Sequence, residues 1–188
     1  MIQSSKSVLR KKILKQRQAL SKKEWQTKSN LICNRLLNLP LFTQADTIFA
    51  YFSFRREVDL NPLFSLNKTW AFPCCVDKTL VWHSWQPGEN LVRDKYGIKT
   101  PLESASIISI ASTDLILVPT VACDRYGYRL GYGGGFYDRL LVSIAGFKIP
   151  TVGIAFDFTI CDRLPVDSWD IKLNFVCTET TFYNCFLN

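Results

Sequence analysis

A glycine-rich segment between residues 124 and 139 holds the side chains best suited to chemistry. It reads Asp-Arg-Tyr-Gly-Tyr-Arg-Leu-Gly-Tyr-Gly-Gly-Gly-Phe-Tyr-Asp-Arg. A loop that wraps an anion must point several consecutive N–H groups inward, which needs positive φ at some residues and no Cβ in the way. More than half of the 9 glycines in the chain lie here: Gly127, Gly131, Gly133, Gly134 and Gly135. The segment therefore predicts an anion-binding loop.

The residues on either side of this loop predict a strand before it and a helix after it. Residues 114–119 are apolar apart from the first and end in proline, which is typical of a short buried strand. Residues 136–144 predict a helix with apolar residues on one face and Gly146 as its stop. This order brings backbone N–H groups and the positive end of a helix dipole to the same anion. A simple glycine turn would explain two or three glycines, but five beside arginine and aspartate favour the anion site.

Two charged residues of the segment add specific chemistry to the loop. The Arg129 guanidinium offers a planar fork of donors for phosphate oxygens. Asp138 offers a hard carboxylate oxygen, which Mg²⁺ prefers when it also binds a nucleotide. Two common phosphate motifs are excluded, because there is no G-x-x-x-x-G-K-[ST] and because Phe136 stands where G-x-G-x-x-G needs its third glycine.

The run Arg129-Leu-Gly-Tyr-Gly-Gly-Gly-Phe-Tyr-Asp138 matches every fixed position of the R-L-G-x-G-x-G-[YF]-Y-D hallmark of one enzyme family. On this run the sequence resembles the 5-formyltetrahydrofolate cyclo-ligases, also called 5,10-methenyltetrahydrofolate synthetases, from Lys6 to about Glu179. The resemblance implies one domain over residues 1–188 with a NagB/RpiA/CoA transferase-like α/β fold. It also implies an ATP- and Mg²⁺-dependent conversion of 5-formyltetrahydrofolate to 5,10-methenyltetrahydrofolate, with release of ADP and phosphate.

The resemblance also implies roles for individual residues of this sequence. Catalytic roles are implied for Arg129, Tyr137 and Asp138. ATP contacts are implied for a K-x-x-L-R element and for the glycine loop: Lys6, Ser7, Val8, Leu9, Arg10, Arg129, Leu130, Gly131, Tyr132, Gly133, Gly134, Gly135, Phe136 and Tyr137. Folate contacts are implied for Phe52, Glu57, Tyr132, Gly133, Gly134, Gly135 and Phe136. Mg²⁺ ligation is implied for Asp138 and Asp170.

Some positions depart from the family pattern outside the glycine loop. Thr120 and Cys123 replace the Gly and Phe of the P-G-x-x-F-D segment. Thr159 replaces the Gln that often follows A-F-D, and Lys172 and Asn174 replace the Pro and the last Asp of the D-x-P-x-D ending. Because they flank the motif rather than belong to it, we expect them to affect rate or affinity rather than the type of reaction.

Composition sets the broad class of the protein. With 188 residues and 47% hydrophobic residues, the chain is long enough for a sizeable core. No apolar run approaches membrane-spanning length and the N-terminus is polar and basic, so we expect a cytoplasmic protein without a membrane partner. The net charge of +7 suits acidic ligands such as ATP and folate glutamates, but it would equally suit nucleic acid. The expected assembly is a monomer or a weak homodimer, with no nucleic-acid partner.

The cysteines and the histidine favour no metal centre. The 7 cysteines are scattered without a C-x-x-C pair, so buried free thiols are the preferred interpretation. His83 is the single histidine, which excludes a histidine-rich zinc site.

Strands alternating with helices indicate a three-layer α/β protein with a largely parallel sheet. A basic helix is predicted over 5–20, with Lys6, Arg10 and Arg17 on one side, and such a basic face is usually solvated. Ser21-x-x-Glu24 is a capping box that starts a second helix. Both helices are expected to dock on the body of the protein. Residues 86–106 predict a loop that could form a flap over a site. Strands are predicted at 47–54, 70–75, 80–85, 114–119, 150–156 and 174–178.

Two functions of other classes remain open at this stage. A basic RNA-binding module would suit the charge and the aromatic content of 13%, although no aromatic RNA-binding strand motif is present. A sugar-phosphate or CoA-ester enzyme would share the fold class without needing ATP and Mg²⁺.

Overall fold

The computed structural model describes residues 5–186 as a seven-stranded sheet with helices on both faces. The helices are α1 (Lys6–Ala19), α2 (Lys22–Leu36), α3 (Pro40–Thr43) and α4 (Phe136–Ser143). The strands are β1 (Thr47–Phe49), β2 (Thr69–Val76), β3 (Thr79–Ser84), β4 (Leu91–Arg93), β5 (Lys99–Pro101), β6 (Leu115–Pro119), β7 (Ala122–Asp124), β8 (Arg129–Leu130), β9 (Thr151–Ile154), β10 (Ile160–Cys161), β11 (Phe175–Cys177) and β12 (Phe182–Asn184). Short 3₁₀ turns cover Asn61–Leu63, Ile110–Ser112 and Asp157–Thr159.

The main sheet has the strand order β12-β11-β9-β6-β1-β2-β3. All pairs from β11 across to β2 are parallel, whereas the outer strands β12 and β3 pair in the antiparallel sense. The predicted largely parallel sheet is therefore confirmed. A three-stranded sheet, β10-β7-β8, and the β4–β5 hairpin form separate ladders.

Strand β6 shows why the sheet is covered on both faces. Leu115 and Leu117 belong to the cluster that includes residues of α2, whereas Ile116 and Val118 belong to the cluster that includes residues of α4. Because successive side chains of a strand point to opposite faces, an uninterrupted apolar run indicates burial on both sides. Each fully buried side chain of this size contributes about 1.5–3 kcal/mol. The predicted three-layer arrangement is confirmed.

The two N-terminal helices begin and dock as predicted. Helix α2 starts with a complete capping box, in which the Glu24 N–H donates to Ser21 Oγ at 3.1 Å and the Ser21 N–H donates to Glu24 Oε2 at 2.9 Å. Ile32 and Leu36 of α2 are fully buried against the main sheet. Helix α1 buries Ile13 in a smaller cluster over β7 and β8.

The predicted strand over 47–54 is too long, because the sheet pairing of β1 ends at Phe49. The last ladder bond runs from the Ala50 N–H to the Ala71 carbonyl at 2.9 Å, and the chain then leaves the sheet. Tyr51 and Phe52 stay buried through side-chain packing, with the Phe52 ring stacked 4.0 Å from the Phe72 ring. The apolar composition of this run thus reflects burial and not strand pairing.

The predicted loop over 86–106 is also corrected, since it contains the β4–β5 hairpin. Its tight turn is fixed by Asp94 Oδ1, which accepts the N–H groups of Tyr96 and Ile98. Gly97 closes the turn with a positive φ. This glycine therefore belongs to a β-hairpin, whereas the sequence predicted a loop.

Two expectations from composition agree with the structure. The cysteines are free thiols, and most of them are buried. Within residues 5–186, no helix is both long and apolar enough to cross a bilayer.

Asp124 connects the small sheet to the glycine-rich segment. Its carboxylate is fully buried and accepts the N–H groups of Tyr126 and Tyr128 on Oδ1 and of Leu164 on Oδ2, each at 3.0 Å. Gly127 completes this turn with φ of +91°, and a Cβ there would lie 2.5 Å from the Leu173 carbonyl oxygen. The turn that leads into β8 therefore depends on one carboxylate and one glycine.

We predict that Asp124→Asn lowers the free energy of unfolding by about 1–3 kcal/mol, because an amide has one acceptor oxygen where the carboxylate uses two. Urea unfolding measures the change, and Asp162→Asn on the exposed side of the same region is the matched control. Equal stability of the two variants would contradict the proposed anchoring role of Asp124.

Candidate active site

The candidate site lies where strands β1 and β6 meet in the sheet. The chain proceeds from β1 to β2 on one side, whereas β6 continues to β9 on the other, so the order of the sheet reverses between β1 and β6. In parallel sheets, ligands bind in the crevice outside the carboxyl ends of the strands at such a point. The segments that follow β1 and β6 supply the functional side chains.

The glycine loop connects β8 to α4 in a form that leaves donors available. Gly133 has φ of +100° and Gly135, the N-cap of α4, has φ of +69°. No side chain caps this helix. Within the described part of the chain, the backbone N–H groups of residues 133–138 find no acceptor. The loop therefore presents a concentration of free donors at the positive end of a helix, which fits an anion such as a phosphate group.

Arg10 lies directly against this loop, as predicted from the resemblance. Its Nε donates to the Gly131 carbonyl at 2.7 Å, and its guanidinium lies 3.7 Å from the position that a Cβ on Gly133 would occupy. Helix α1 therefore adds a positive side chain to the free N–H groups of the loop.

Lys6 lies one helical turn before Arg10 and is neutralised by two carboxylates. Its Nζ donates to Asp167 Oδ2 at 2.6 Å and also to Asp170 Oδ2. Partial burial lowers the pKa of Lys6, but the hydrogen bonds to Asp167 and Asp170 outweigh burial and raise it overall. The structure thus joins a predicted phosphate ligand, Lys6, to a predicted metal ligand, Asp170.

A second ion pair repeats this arrangement inside the loop. Arg129 Nη2 donates to Asp138 Oδ1 at 2.6 Å, and the arginine side chain is 4% exposed whereas the aspartate side chain is 36% exposed. Arg129 also lies over the Tyr137 ring, with 5.6 Å from Cζ to the ring centroid. Both Arg129 Nε and the Tyr137 hydroxyl are buried without a partner among residues 5–186. Unpaired buried donors are costly, so their presence beside the loop fits a site completed by a ligand.

Glu57 is a buried acid at the end of an unusual turn after β1. Its Oε2 accepts the Phe54 N–H at 3.0 Å, and the intervening residues Arg55 and Arg56 have φ of +47° and +57°. Burial raises the pKa of Glu57 to about 7, opposed by the Arg17 charge and by hydrogen bonds from the Phe54 N–H and the Tyr132 hydroxyl. Two consecutive left-handed residues that are not glycine store strain, which structures tolerate chiefly at functional sites.

An aromatic cleft of about 380 Å³ is lined by Ser53 and Phe54 before Glu57 and by Asp59 after it. Phe52 and Trp85 form part of its wall, and Arg93 and Lys99 of the β4–β5 hairpin line another side. Phe54 also lines the cleft, and its ring lies 6.1 Å from the ring of Tyr132 in the glycine loop. The cleft and the loop are therefore adjacent, which suits a planar ligand in one and phosphate groups in the other.

The β4–β5 hairpin lies where the sequence predicted a flap. Tyr96, in its turn, meets Phe136 at the start of α4 with 6.2 Å between ring centroids. The hairpin consequently reaches from the cleft to the glycine loop and borders both.

The amino-acid sequence matches a known protein family. The profile of the 5-formyltetrahydrofolate cyclo-ligase family matches residues 2–179. The chain belongs to this family. The Escherichia coli K12 5-formyltetrahydrofolate cyclo-ligase is 32% identical over 178 residues, which cover 89% of this chain and 97% of that relative.

Solved structures agree with the family assignment. The NMR structure of the Aquifex aeolicus 5,10-methenyltetrahydrofolate synthetase matches with a TM-score of 0.85 and 35% identity, covering 97% of this chain and 93% of that one. The Mycoplasma pneumoniae 5,10-methenyltetrahydrofolate synthetase matches with a TM-score of 0.77 and 24% identity, covering 94% of this chain and 99% of that one. The latter likeness concerns the fold alone.

Several residues implied by the family pattern do not point their side chains into a common site. Ser7 and Val8 are exposed on the first turn of α1, while Leu9 and Leu130 pack in the cluster over the small sheet. Gly134 and Gly135 belong to the exposed glycine loop with Tyr132, so their contribution to ligands would come from the backbone. The roles proposed for all these residues stay predictions.

The departures from the family pattern form local contacts. The Thr120 hydroxyl donates to the Ile154 carbonyl at 2.8 Å, and the Thr159 hydroxyl donates to the Phe156 carbonyl at 2.7 Å. Asn174 Oδ1 accepts the Thr151 N–H at 2.8 Å, which ties β9 to the segment before β11. Lys172 Nζ lies over the Tyr128 ring. Their effects on rate stay predictions.

The carboxylates suit a magnesium ion shared with a nucleotide more than a closed metal site. Among residues 5–186, no group of three or more His, Cys, Asp or Glu side chains could hold a metal by itself. Mg²⁺ is commonly held by one or two carboxylates together with water and substrate phosphates. Asp138 and Asp170 fit such a site, and their assignment as ligands stays a prediction.

Sequence reasoning missed the contribution of Arg17 and Asp167. Arg17 was grouped with Lys6 and Arg10 on a basic helix face, but its side chain is 1% exposed and donates three hydrogen bonds inside the protein. Its spacing of seven from Arg10 was the available signal, since two helical turns place both residues on the same face. Asp167 carried no motif, and its contact with Lys6 spans 161 positions of sequence.

We predict that Glu57→Gln changes how stability depends on pH. The folded pKa of about 7 lies above the ordinary 4.5, so the folded state holds a proton that the unfolded state releases between these values. The wild type therefore loses stability as pH rises through this window, whereas glutamine does not titrate, and the gap in pKa corresponds to about 3 kcal/mol.

Urea unfolding at pH 5 and pH 8 measures this effect. The stability of Glu57→Gln relative to wild type should rise between the two pH values, while the exposed control Glu103→Gln should follow the wild type. The prediction is wrong if Glu57→Gln and Glu103→Gln show the same pH dependence.

Proposed function

We propose that this chain converts 5-formyltetrahydrofolate to 5,10-methenyltetrahydrofolate at the expense of ATP, with Mg²⁺, in the cytoplasm. The observation that carries the proposal is the cradle of free N–H groups at residues 133–138, flanked by Arg10 and Arg129 and adjoining an aromatic cleft. This combination accommodates the phosphates of one substrate beside the planar ring system of the other. Membership of the cyclo-ligase family supports the choice of substrates.

The proposed reaction activates the formyl group by phosphorylation. The formyl oxygen of 5-formyltetrahydrofolate attacks the γ-phosphorus of ATP and ADP leaves, which gives an imidate phosphate. N10 then attacks the formyl carbon and loses its proton, and the C–O bond breaks with release of phosphate. Phosphorylation of the formyl oxygen thereby turns a poor leaving group into a good one before the methenyl bridge forms.

In this proposal the chain works by positioning and electrostatics and supplies no covalent nucleophile. The loop amides, Arg10 and Arg129 hold phosphate oxygens, and Lys6 lies beside them on α1. Phe52, Phe136 and Glu57 hold the folate. Asp138 and Asp170 would hold a magnesium ion, which when bound neutralises charge on the phosphates. Such preorganised groups stabilise a transferring phosphoryl group without reorganisation.

A direct assay tests the proposal. Purified protein is mixed with ATP, Mg²⁺ and 5-formyltetrahydrofolate, and the absorbance of the methenyl product is followed with and without ATP. ATP-dependent formation of the methenyl product supports the proposal. Absence of product from a folded protein that binds neither substrate in calorimetric titrations would overturn it.

The two alternatives predict other outcomes in parallel experiments. An RNA-binding module would bind oligonucleotides with an affinity that falls steeply as salt rises. A sugar-phosphate or CoA-ester enzyme would act on its ester without ATP and Mg²⁺. The ion pairs and free N–H groups at the glycine loop favour the ligase over the RNA module, since the donors are concentrated at one anion site at the start of α4.

We predict that Asp138→Asn lowers the rate by about 10²–10³, the usual effect of losing one electrostatic contact to a transferring group. The variant should keep its fold, because the aspartate side chain is 36% exposed and an asparagine Oδ1 can still accept the hydrogen bond from Arg129. Steady-state kinetics at saturating Mg²⁺ measure the change, with Asp162→Asn as the control. A wild-type rate in Asp138→Asn would show that the metal is held elsewhere.

Arg10→Gln should weaken ATP binding more than Lys6→Gln does. Among residues 5–186, Arg10 has no carboxylate partner and donates to a loop carbonyl, whereas the Lys6 charge is already balanced by Asp167 and Asp170. A charged hydrogen bond contributes about 1.5–3 kcal/mol, so the Arg10 variant should bind ATP roughly tenfold or more weakly.

Calorimetric titrations with ATP and with 5-formyltetrahydrofolate measure these affinities separately. Folate affinity should change little, and the exposed control Lys11→Gln should bind both ligands as the wild type does. Equal ATP affinity for Arg10→Gln and Lys11→Gln would assign helix α1 to a purely structural role.

A further inference from the structure

Arg17 is a buried cation whose hydrogen bonds go to neutral acceptors. Its Nε donates to the Arg55 carbonyl at 3.1 Å, its Nη1 donates to the Thr120 carbonyl at 3.0 Å, and its Nη2 donates to the Tyr132 hydroxyl. None of these hydrogen bonds goes to a carboxylate, and the side chain is 1% exposed. Burying a guanidinium is costly, and an apolar side chain of similar size could fill the same space.

The three acceptors belong to three different segments around the site. Arg55 lies in the strained turn after β1, Thr120 follows β6, and Tyr132 is part of the glycine loop. Strands β1 and β6 are neighbours, but their following segments diverge. A planar fork with several donors in fixed directions can connect all three segments, which an ammonium group or an apolar side chain could not do.

We propose that Arg17 is a positioning residue that holds the turn after β1 and the glycine loop in register with each other. This proposal rests on the proposed function, because the turn carries Glu57 on the folate side and the loop carries the phosphate donors. Its role is indirect, since its guanidinium donors are used within the protein.

The surroundings of Glu57 support this coupling. The Tyr132 hydroxyl that accepts a hydrogen bond from Arg17 also interacts with Glu57, and the charge of Arg17 opposes the rise in the pKa of Glu57 that burial causes. The ring of Tyr132 lies 6.1 Å from the ring of Phe54. Removing Arg17 would therefore release both sides of the site at once, because the same side chains connect them.

Arg17→Met and Arg17→Lys separate the guanidinium fork from its charge. Misplacement of reacting groups by about 1 Å can cost 10²-fold in rate, so we expect Arg17→Met to lose about that factor in kcat with both substrates saturating. Arg17→Lys should recover only part of it, because an ammonium group keeps the charge without the fork. The control is Lys15→Gln, an exposed residue of the same helix, which should keep the wild-type kcat.

Hydrogen exchange of the ligand-free protein gives a readout that does not depend on the enzyme's activity. In Arg17→Met, the hydrogen-bonded amides of two segments should exchange faster together, residues 54–57 in the turn after β1 and residues 121–130, which follow Thr120 and lead into the glycine loop, while those of β6 and β9 stay protected. Faster exchange throughout β6 and β9 would indicate general destabilisation and overturn the proposal. Tyr132→Phe, which removes one acceptor at a partly exposed position, should show a smaller change in the same two segments.

The kinetic and exchange results distinguish failure of this inference from failure of the proposed function. If the wild type and Lys15→Gln form the methenyl product while Arg17→Met has the wild-type kcat and unchanged exchange in both segments, Arg17 is not a positioning residue. If the wild type forms no product, the proposed function fails, and coupled exchange in the two segments still tests whether Arg17 connects them.

Discussion

The crevice between β1 and β6 is the constraint on which the rest of the structure depends. Both strands are buried on two faces, so their side chains are committed to the core and the chemistry must come from the segments that follow them. These segments diverge because β1 leads to β2 on one side and β6 leads to β9 on the other. Helix α1 fills the resulting gap, and this position brings Arg10 and Arg17 to the carboxyl edge of the sheet.

Two of the cations at this edge are paired with carboxylates. Lys6 is paired with Asp170, and Arg129 is paired with Asp138, so each pair joins a proposed phosphate ligand to a proposed metal ligand. A buried ion left without its partner is strongly destabilising, which explains why the buried Arg129 has a carboxylate partner. Arg10 and Arg17 at the same edge donate to carbonyl and hydroxyl oxygens instead. In the proposed function a nucleotide with Mg²⁺ presents both signs of charge. On binding, the cations would then pair with phosphate oxygens and the carboxylates with the magnesium ion, so that no charged side chain would lose its partner without gaining another.

The glycine loop contains two kinds of hydrogen-bond donor, and the pairing with Asp138 affects only one of them. The free N–H groups at residues 133–138 are fixed by the backbone and have no internal acceptor to give up. Arg129, in contrast, must release Asp138 or share its donors before it can bind a phosphate oxygen fully. Its Nε has no partner among residues 5–186, so it can donate to a ligand without breaking the bond to Asp138. The backbone cradle can therefore receive an anion first, and the side chains can adjust afterwards.

The local parts of this arrangement could be predicted from the sequence, whereas the long-range parts could not. The bounds of β6 and α4 follow from composition within a few residues, and the capping box predicts the start of α2. Strands β7 and β8, which lie between β6 and the glycine loop, were not predicted. Strand β1 was predicted too long because apolar residues indicate burial without indicating which residues pair. The contact between Lys6 and Asp170 joins residues 164 positions apart, and no local pattern encodes it. The burial of Arg17 reversed the usual expectation that a basic helix face is solvated.

Features that oppose stability gather at the same edge of the sheet that carries the proposed chemistry. Arg55 and Arg56 hold left-handed conformations, Glu57 is an acid buried at the end of that turn, and two of the three unpaired buried side-chain atoms among residues 5–186 belong to Arg129 and Tyr137. The sheet supplies the compensating stability through side chains packed on both faces. A sequence selected for stability alone would replace such groups with satisfied or apolar ones. Their concentration beside one crevice therefore supports the proposal that this crevice binds the ligands.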